Sequence, residues 1–501
     1  MMRVAGLALV FVASLVCTLW LAAVAFGAAQ ERQTTYRYFA QALDASVERG
    51  HSVDWRSPDA ALARPFTDGD AALLGRALDE AWQVLALAQE TGDGSILADR
   101  FSGVALERAA LSVADATAHG GRMAVLSQKA QPVFFHKDGS LFQAETETVV
   151  ARYLGAETGL SAFELTRETG IATLLNESSG WRLYSYERRA SIALPDGAAP
   201  WTGAMRGFNY YPAGSPWRAF WREFDPAVTE ADFAAVRALG GDSVRVFLTR
   251  EDFLADAPDA ALARLEQLLA LAQQQGLRVV PTLFDLKPHY RLGGWAEDAR
   301  YLQRVLPVLA ASGAVAFVDI KNEPDLDFAA HGTAKVTAWL NTMAGLIRDA
   351  APGLPLTVGW SDAAQAGRLA KTLDVISYHE YAPIAGTGQR LATVRALAGG
   401  KPVVVSEIGQ SSFDLGFGYP GSEARQAASL AQRLDALAGA EGVLVWTLHD
   451  FPVVDATVIG ASPWRQRLQA AFGVLRADGT EKPAVAALRE RWPDLSERVG
   501  D

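Results

Sequence analysis

Two stretches decide the fold of this chain. Val315-Ala316-Phe317-Val318-Asp319-Ile320 runs into Lys321-Asn322-Glu323-Pro324, and Pro402-Val403-Val404-Val405 runs into Ser406-Glu407-Ile408-Gly409. Short, continuous apolar runs of this kind are typical of parallel strands that are covered on both faces. Each run ends at a glutamate. Because the carboxyl ends of the strands in a parallel barrel face one pocket, we expect Glu323 and Glu407 to share an opening.

Six further runs of the same kind follow one another along the chain, with helical segments between them. The eight predicted strands are Met205–Tyr210, Ser243–Leu248, Arg278–Phe284, Val315–Ile320, Leu356–Trp360, Val375–Tyr381, Pro402–Glu407 and Val443–Leu448. Eight strand–helix units close into a (β/α)8 TIM barrel. We therefore predict an α/β barrel over residues 201–494, followed by a tail at 495–501.

The chain before the barrel has a different pattern. Helical periodicity around Leu74–Leu85 and Leu106–Ala118 precedes strand-like runs, two of which flank the turn signal Asp138-Gly139. Helices followed by strands indicate a separate α+β domain, which we place at residues 68–190, with a stalk at 31–67 and a linker at 191–200. This order resembles cone-shaped nuclear-transport-factor-2-like domains, which hold small ligands or mediate association. A protein partner through residues 68–190 is therefore one expectation.

The N-terminus carries a targeting signal. No charged residue occurs between Val4 and Gln30, and Arg3 precedes this run. A cleavable signal peptide has an apolar region of about 7–15 residues, whereas a membrane-spanning helix needs about 20, so the length favours a retained signal anchor at residues 1–30. Small residues at Ala23-Val24-Ala25 and Gly27-Ala28-Ala29 keep cleavage open as the alternative. We expect a bacterial inner-membrane protein with periplasmic domains, or a secreted protein if the segment is cleaved.

Composition argues against other classes of partner and site. The formal net charge is −11, whereas nucleic-acid binding needs concentrated Lys and Arg, so no nucleic-acid partner is expected. The single cysteine, Cys17, precludes an intrachain disulfide. His449 and Asp450 are adjacent but have no third ligand nearby in sequence, so no metal centre is predicted there.

The residues at the predicted strand ends form a set. Glu323 follows the fourth strand and Glu407 ends the seventh; with them stand Arg245 in the second strand, His379 and Tyr381 at the end of the sixth, and Trp446 in the eighth. Breaking an acetal between sugars needs an acid at the leaving oxygen and a second carboxylate at the anomeric centre. Over residues 201–494 the set resembles the clan of retaining glycosidases that contains glycoside hydrolase family 5. The resemblance implies that Glu323 is the general acid/base and Glu407 the nucleophile, with no cofactor.

The resemblance also implies roles for neighbouring residues. Asn322 would bind the sugar 2-hydroxyl, Arg245 and Tyr381 would orient Glu407, and His379 would hold the acid/base or a sugar hydroxyl. Trp446 offers a flat apolar face to a sugar ring. Four further residues are candidates for sugar subsites, with packing or loop anchoring as the alternative for each: Asn209, Tyr210, Trp295 and Trp360. The resemblance also implies that Asp285 and His289, in the loop after the third strand, bind sugar hydroxyls.

We therefore expect an exported retaining β-glycosidase that hydrolyses a β-linked glucan, mannan or related envelope polysaccharide. Transglycosylation is one alternative, because a sugar hydroxyl can intercept the same covalent intermediate in place of water. A non-catalytic glycan-binding or assembly protein beside a polysaccharide synthase is the other. Cleavage of a glycan would distinguish the two enzymes from the non-catalytic binding protein.

Overall fold

The computed structural model describes Thr18 and residues 53–156, 159–177, 180–254, 258–414 and 421–497. Apart from Thr18, the predicted membrane segment at residues 1–30 lies outside this range, as does the first part of the predicted stalk. None of the described helices is both long enough and apolar enough to cross a membrane.

The first domain packs two helices against a five-stranded sheet. Its elements are β1 (Val53–Trp55), α1 (Asp68–Thr91), α2 (Gly103–His119), β2 (Gly121–Phe135), β3 (Leu141–Ala156), β4 (Gly159–Glu177) and β5 (Gly180–Ala193). Strands β2 to β5 pair antiparallel in chain order, and β1 joins the edge parallel to β2. The predicted order of helices followed by strands is present, with the β2–β3 hairpin turning at Asp138-Gly139.

The start of α1 shows how the sequence sets an element boundary. The Thr67 hydroxyl accepts a hydrogen bond from the Asp70 backbone N–H, and the Asp70 carboxylate accepts one from the Thr67 N–H. This reciprocal capping satisfies backbone donors that have no partner within the helix. The helix ends at Gly92, whose φ of 73° suits a residue without a side chain.

Several domain boundaries differ from the prediction. Val53–Trp55 pairs with β2, and the Trp55 ring lies 4.9 Å from that of Phe66, so the domain includes the second half of the predicted stalk at 31–67. At the other end, Ser191 pairs with Glu168, which extends β5 into the predicted linker at 191–200. These segments are ordered because their backbone and apolar side chains find partners in the sheet. The final helix likewise reaches Glu497, inside the predicted tail at 495–501.

The second domain is a closed barrel of eight parallel strands, which confirms the predicted (β/α)8 fold. The strands are β6 (Met205–Asn209), β7 (Ser243–Phe247), β8 (Arg278–Phe284), β9 (Val318–Asn322), β10 (Leu356–Trp360), β11 (Ile376–Glu380), β12 (Val403–Ile408) and β13 (Gly442–Val445). Pairing of β13 with β6 closes the ring. Each strand lies within a few residues of its predicted position.

Helices lie between and after the strands. They are α3 (Pro226–Ala238), α4 (Arg250–Leu254), α5 (Pro258–Gln274), α6 (Trp295–Ala311), α7 (Phe328–His331), α8 (Thr333–Ala350), α9 (Thr387–Ala398), α10 (Glu423–Ala436), α11 (Ala456–Ile459), α12 (Pro463–Ala470) and α13 (Ala484–Glu497). Short 3₁₀ turns occur at Gly94–Asp99, Trp217–Ala219, Leu292–Gly294, Pro324–Asp327, Ala363–Gln365 and Ile384–Gly386.

One apolar cluster spans the boundary between the two domains, and the first domain also has a core cluster of its own. The ring of Tyr153 on β3 stacks on that of Trp295 at the start of α6, with centroids 5.9 Å apart and planes 14° apart. Gly345 on α8 allows close approach of β4, because a Cβ at this position would collide with Leu165. Ion pairs flank these contacts, at 2.7 Å between Arg167 and Asp349 and at 2.8 Å between Lys335 and Glu90. The first domain therefore covers two barrel helices.

Candidate active site

Glu323 and Glu407 meet at the carboxyl end of the barrel. One carboxylate oxygen of each and a ring nitrogen of His379 lie within 4.8 Å of one another. The Glu407 side chain is 8% exposed and that of Glu323 is 28% exposed, so Glu407 is buried and Glu323 is partly accessible. Carboxyl groups about 5–5.5 Å apart serve retaining glycosidases, whereas about 6.5–9.5 Å leaves room for the water of an inverting reaction. The approach of one oxygen of each carboxylate to within 4.8 Å is closer than the inverting range.

A β-bulge on β12 places Glu407 beside His379. Tyr378 pairs with Val405, but the next residue, His379, pairs with Glu407, so Ser406 is an extra residue on β12. Bulges of this kind redirect side chains near active sites.

A second irregularity in strand pairing occurs between β9 and β10. Thr357 pairs with Asp319 and Gly359 pairs with Asn322, so β9 carries one more residue than β10 between these pairs. The shift lets Asp319 and Asn322, which are three residues apart, both reach Arg245. Ordinary strand alternation would turn them to opposite faces.

The backbone at Glu323 is held in a strained conformation. Its φ of 46° and ψ of 51° lie in the left-handed region, which costs a residue with a side chain on the order of 1–3 kcal/mol. The Glu323 N–H donates to the Gly359 carbonyl at 2.8 Å and helps to hold this geometry. The strain falls on a residue that the sequence predicts to be catalytic.

Arg245 is the centre of a buried hydrogen-bond network. Its guanidinium is fully buried and donates to Glu407 Oε1 at 2.7 Å and to Asp319 Oδ2 at 2.7 and 3.1 Å. It also donates to the amide oxygens of Asn209 and Asn322, each at 2.9 Å. Burial opposes its charge, but the two carboxylates outweigh burial and raise the pKa of Arg245. A permanent cation therefore orients Glu407.

Tyr381 holds the other oxygen of Glu407. Its hydroxyl donates to Glu407 Oε2 at 2.9 Å, so each carboxylate oxygen accepts a hydrogen bond from a different residue. Burial of the hydroxyl, together with the negative charges of Glu407 and Glu323, raises the pKa of Tyr381 well above its usual value. Tyr381 therefore stays protonated and remains a donor.

His379 lies between the two glutamates. Its Nδ1 is 2.8 Å from Glu323 Oε1, and its Nε2 is 3.5 Å from Glu407 Oε1. Burial favours the neutral form of Glu323, but the hydrogen bond and charge of His379, with the charges of Arg245 and Lys321, outweigh burial and hold the pKa of Glu323 below its usual value. The site without a ligand thus favours ionised Glu323.

The three closely spaced groups also have the composition of a metal site. Arg245, however, donates to the Glu407 oxygen that lies nearest His379. Its positive charge opposes a cation at that oxygen. The arrangement is therefore better suited to carboxylate chemistry than to metal binding.

Three of the predicted sugar-binding residues lie at the carboxyl end of the barrel, the same end as Glu323 and Glu407. The Trp446 ring packs edge-on against Phe247 and Tyr211, with centroids 5.9 and 6.3 Å away. Asp285 accepts a hydrogen bond from the Tyr211 hydroxyl at 3.1 Å. The pKa of His289 is lowered to about 4 by burial and by the charges of Lys287, Arg250 and Arg291, so this imidazole is neutral near neutral pH.

Asn209 and Tyr210 differ from the prediction that they line sugar subsites. Both are fully buried. The Asn209 amide donates to the Ser406 carbonyl at 2.9 Å and accepts from Arg245, so it positions the network beneath the glutamates. The Tyr210 hydroxyl donates to Asp232 at 2.9 Å on the helix side of the barrel. Neither side chain presents a free surface to a sugar.

Trp295 and Trp360 differ from the prediction in the same way. Both are fully buried. The Trp295 indole N–H donates to the Tyr290 carbonyl at 3.2 Å while its ring stacks on Tyr153, and the Trp360 ring packs near Phe328. Trp295 and Trp360 are therefore packing residues in the structure, which was the alternative to a sugar-binding role.

Asp319 is the main residue that the predicted site lacks. It is buried, accepts from Arg245, and also accepts from the Thr282 hydroxyl and the Gly359 N–H, each at 2.9 Å. The available signal was a single acid within the apolar run Val315–Ile320. Its partner could not be identified without the register of β9.

Comparison with solved structures finds glycoside hydrolases. The GH5_18 structure from Streptomyces cattleya in complex with GlcNAc is 23% identical, covers 59% of this chain and 81% of its own, and has a TM-score of 0.48. Exo-β-1,4-mannosidase Op5Man5 from Opitutaceae bacterium strain TAV5 is 20% identical, with coverages of 61% and 62% and a TM-score of 0.49. The β-D-glucuronidase of Dictyoglomus thermophilum is 15% identical, with coverages of 74% and 68% and a TM-score of 0.45.

No family model matches the chain, and no curated protein matches it.

Proposed function

We propose that this protein is a retaining β-glycosidase, with Glu407 as nucleophile and Glu323 as general acid/base. The observation that carries the proposal is that one oxygen of Glu323 and one oxygen of Glu407 lie within 4.8 Å of each other at the carboxyl end of the barrel. Their different partners support the division of roles. Glu407 is held at both oxygens by Arg245 and Tyr381, whereas Glu323 contacts His379 and is the more exposed of the two.

The proposed reaction has two displacement steps. Glu407 attacks the anomeric carbon as the bond to the leaving oxygen breaks, and Glu323 gives its proton to that oxygen. The sugar is then bonded to Glu407. In the second step Glu323 takes a proton from a water molecule, whose oxygen attacks the anomeric carbon and releases Glu407. Two inversions give net retention.

The electrostatics of Glu323 bear on the first step. Without a ligand, the charges of His379, Arg245 and Lys321 favour its ionised form. A sugar that covers Glu323 would remove its remaining water, and loss of water raises the pKa of a carboxyl group. Substrate binding would thus bring Glu323 towards the protonated form that an acid catalyst needs.

The proposed substrate is a β-linked glucan, mannan or related envelope polysaccharide. The resemblance of the strand-end residues to the clan of glycoside hydrolase family 5 supports this class. Water and a sugar hydroxyl are both possible acceptors in the second step, so transglycosylation uses the same two glutamates. Product size on oligosaccharide substrates distinguishes the two, because transglycosylation lengthens some chains.

The first prediction tests the two roles separately. Glu407→Gln should lose turnover on all substrates, because no nucleophile remains. Glu323→Ala should lose about 10²–10⁴-fold on natural glycans and much less on activated aryl glycosides, whose leaving groups need little protonation. Azide should restore Glu323→Ala activity and yield a β-glycosyl azide from a β-substrate. Proton NMR of fresh products reads the anomeric configuration.

Two outcomes would overturn the proposal. One is wild-type activity in both variants. The other is glycan binding without cleavage of any β-glucan, mannan or aryl glycoside, which would favour a non-catalytic binding protein. Tyr184→Ala, on an exposed part of the first domain, serves as the matched control.

We also propose that residues 31–501 lie outside the cytoplasmic membrane. The support is the uncharged run from Val4 to Gln30. The second prediction is that a periplasm-dependent reporter fused after Asp501 is active, and that deletion of residues 2–30 abolishes this activity. Carbonate extraction tests the retained anchor, since a spanning helix keeps the protein in the membrane. Reporter activity that persists without residues 2–30 would contradict export through this segment.

A further inference from the structure

The first domain contains a cavity that the proposed reaction does not use. It has a volume of about 220 Å³ and lies between the two helices and one face of the sheet. Drug-sized ligands occupy sites of about 300–1,000 Å³, so this cavity suits a smaller molecule. Its lining residues include Trp82, Leu85 and Ala109 from the helices, with Val125, Val150 and Leu183 from the strands.

One side of the cavity is charged. Glu168 is almost fully buried and accepts from Arg152 at 2.7 and 3.1 Å and from Arg188 at 3.1 Å. Burial opposes ionisation of Glu168, but the two arginines outweigh burial and hold its pKa below the usual value. Arg108 also lines the cavity, and it donates to the Tyr186 carbonyl. The lining of the cavity therefore contains three arginines and one carboxylate, which is an excess of positive charge.

We propose that this cavity binds a small amphipathic carboxylate, with the apolar part against Trp82 and Leu85 and the carboxylate at Arg188. Arg188 uses only one of its guanidinium nitrogens on Glu168, and its side chain is 54% exposed, so it can turn towards an entering anion. A sugar is a poorer occupant, because most of the wall is aliphatic or aromatic and cannot satisfy its hydroxyls. The site is separate from the barrel glutamates.

The chain offers a matched control for the charge. Arg189 follows Arg188 on β5, is 53% exposed, and pairs with Glu145 at 3.2 Å on the opposite face of the sheet. Arg188→Gln and Arg189→Gln remove the same charge from equally exposed positions, but only the first changes the cavity. Ala109→Phe is a second test, because a ring at this position would fill the cavity from α2.

The experiment is equilibrium dialysis of the full-length protein in detergent with 4-phenylbutyrate, using the uncharged 4-phenylbutanamide as the comparison ligand and detergent alone as the blank. We expect saturable 1:1 binding of the carboxylate and about tenfold weaker binding of the amide, the loss expected for one charge-assisted hydrogen bond. Arg188→Gln should weaken carboxylate binding about tenfold, Arg189→Gln should leave Kd unchanged, and Ala109→Phe should abolish binding.

Three results would overturn the proposal. They are no saturable binding at millimolar ligand, equal affinity for carboxylate and amide, and equal loss in the two arginine variants. Binding that a cleaved glycan displaces competitively would place the ligand in the barrel and overturn it too. If Ala109→Phe fails to fold, the two arginine variants still decide, because both positions are exposed.

Discussion

At the scale of single residues, His379 links the two glutamates, because one of its ring nitrogens lies 2.8 Å from Glu323 and the other 3.5 Å from Glu407. Its hydrogen bond and charge are the largest of the effects that lower the pKa of Glu323. The contact therefore joins the proposed acid/base to the proposed nucleophile, and a change at His379 should alter the pH dependence of the proposed reaction as well as its rate.

The third prediction follows from this contact. A general acid must be protonated, so the alkaline limb of kcat/KM reports its pKa. His379→Ala removes the two largest effects that lower the pKa of Glu323, so burial, which raises this pKa, is opposed only by the charges of Arg245 and Lys321. The limb should therefore move to higher pH. His379→Gln keeps a hydrogen-bond donor but no charge, and should shift the limb less. An unchanged limb in His379→Ala would argue against Glu323 as the acid.

At the scale of elements, strand β9 carries both a catalytic candidate and its support. Asp319 near its centre is paired with fully buried Arg245, while Glu323 follows its end. Removing one partner of a buried ion pair leaves the other charge uncompensated. Asp319 is thus expected to stabilise the fold, and Glu323, four positions later, is the candidate for catalysis.

The fourth prediction measures that stability. Asp319→Ala should lower the free energy of unfolding by about 3–5 kcal/mol, because Arg245 would stay buried with one fewer carboxylate. Thr282→Val, which removes one hydrogen bond to Asp319, should cost only about 1 kcal/mol. Urea unfolding followed by circular dichroism gives both values. A loss in Asp319→Ala no larger than in Thr282→Val would show that the ion pair contributes little.

Elements also mark how far the sequence could predict the structure. All eight barrel strands were predictable, because buried parallel strands are continuous apolar runs. The positions of Glu323 and Glu407 were predictable as well, because each glutamate lies where such a run ends. The sites of Asn209 and Asp319 were not predictable, because two β-bulges and the pairing register decide which side chains meet. Trp295 was misjudged for another reason: an aromatic residue near a barrel mouth gives no sign that a separate domain covers it.

At the scale of the whole molecule, the first domain and the barrel form one folded unit. Tyr153, Leu165 and Trp295 belong to the same apolar cluster, and ion pairs cross the same boundary. Trp295 is joined through the Tyr290 carbonyl to the loop that carries Asp285 and His289. Loss of the domain contact would therefore loosen a loop at the barrel mouth as well as the boundary.

The fifth prediction tests this unity by calorimetry. Tyr153→Ala should lower the unfolding free energy by about 3–5 kcal/mol and split one thermal transition into two, because a buried aromatic contact is lost. Tyr153→Phe retains the ring and should behave like the wild type. A single transition at the wild-type Tm in Tyr153→Ala would mean that the domains are held together elsewhere.

The stacking of Tyr153 on Trp295 has a consequence for recombination and for enzyme engineering. A barrel cut free near residue 200 would expose the Trp295 face to water, and such apolar patches promote aggregation. We therefore expect the barrel to be unstable when it is expressed without the first domain. A gene fusion or domain exchange that is meant to keep the barrel folded has to include β3 and β4, which cover the barrel helices α6 and α8.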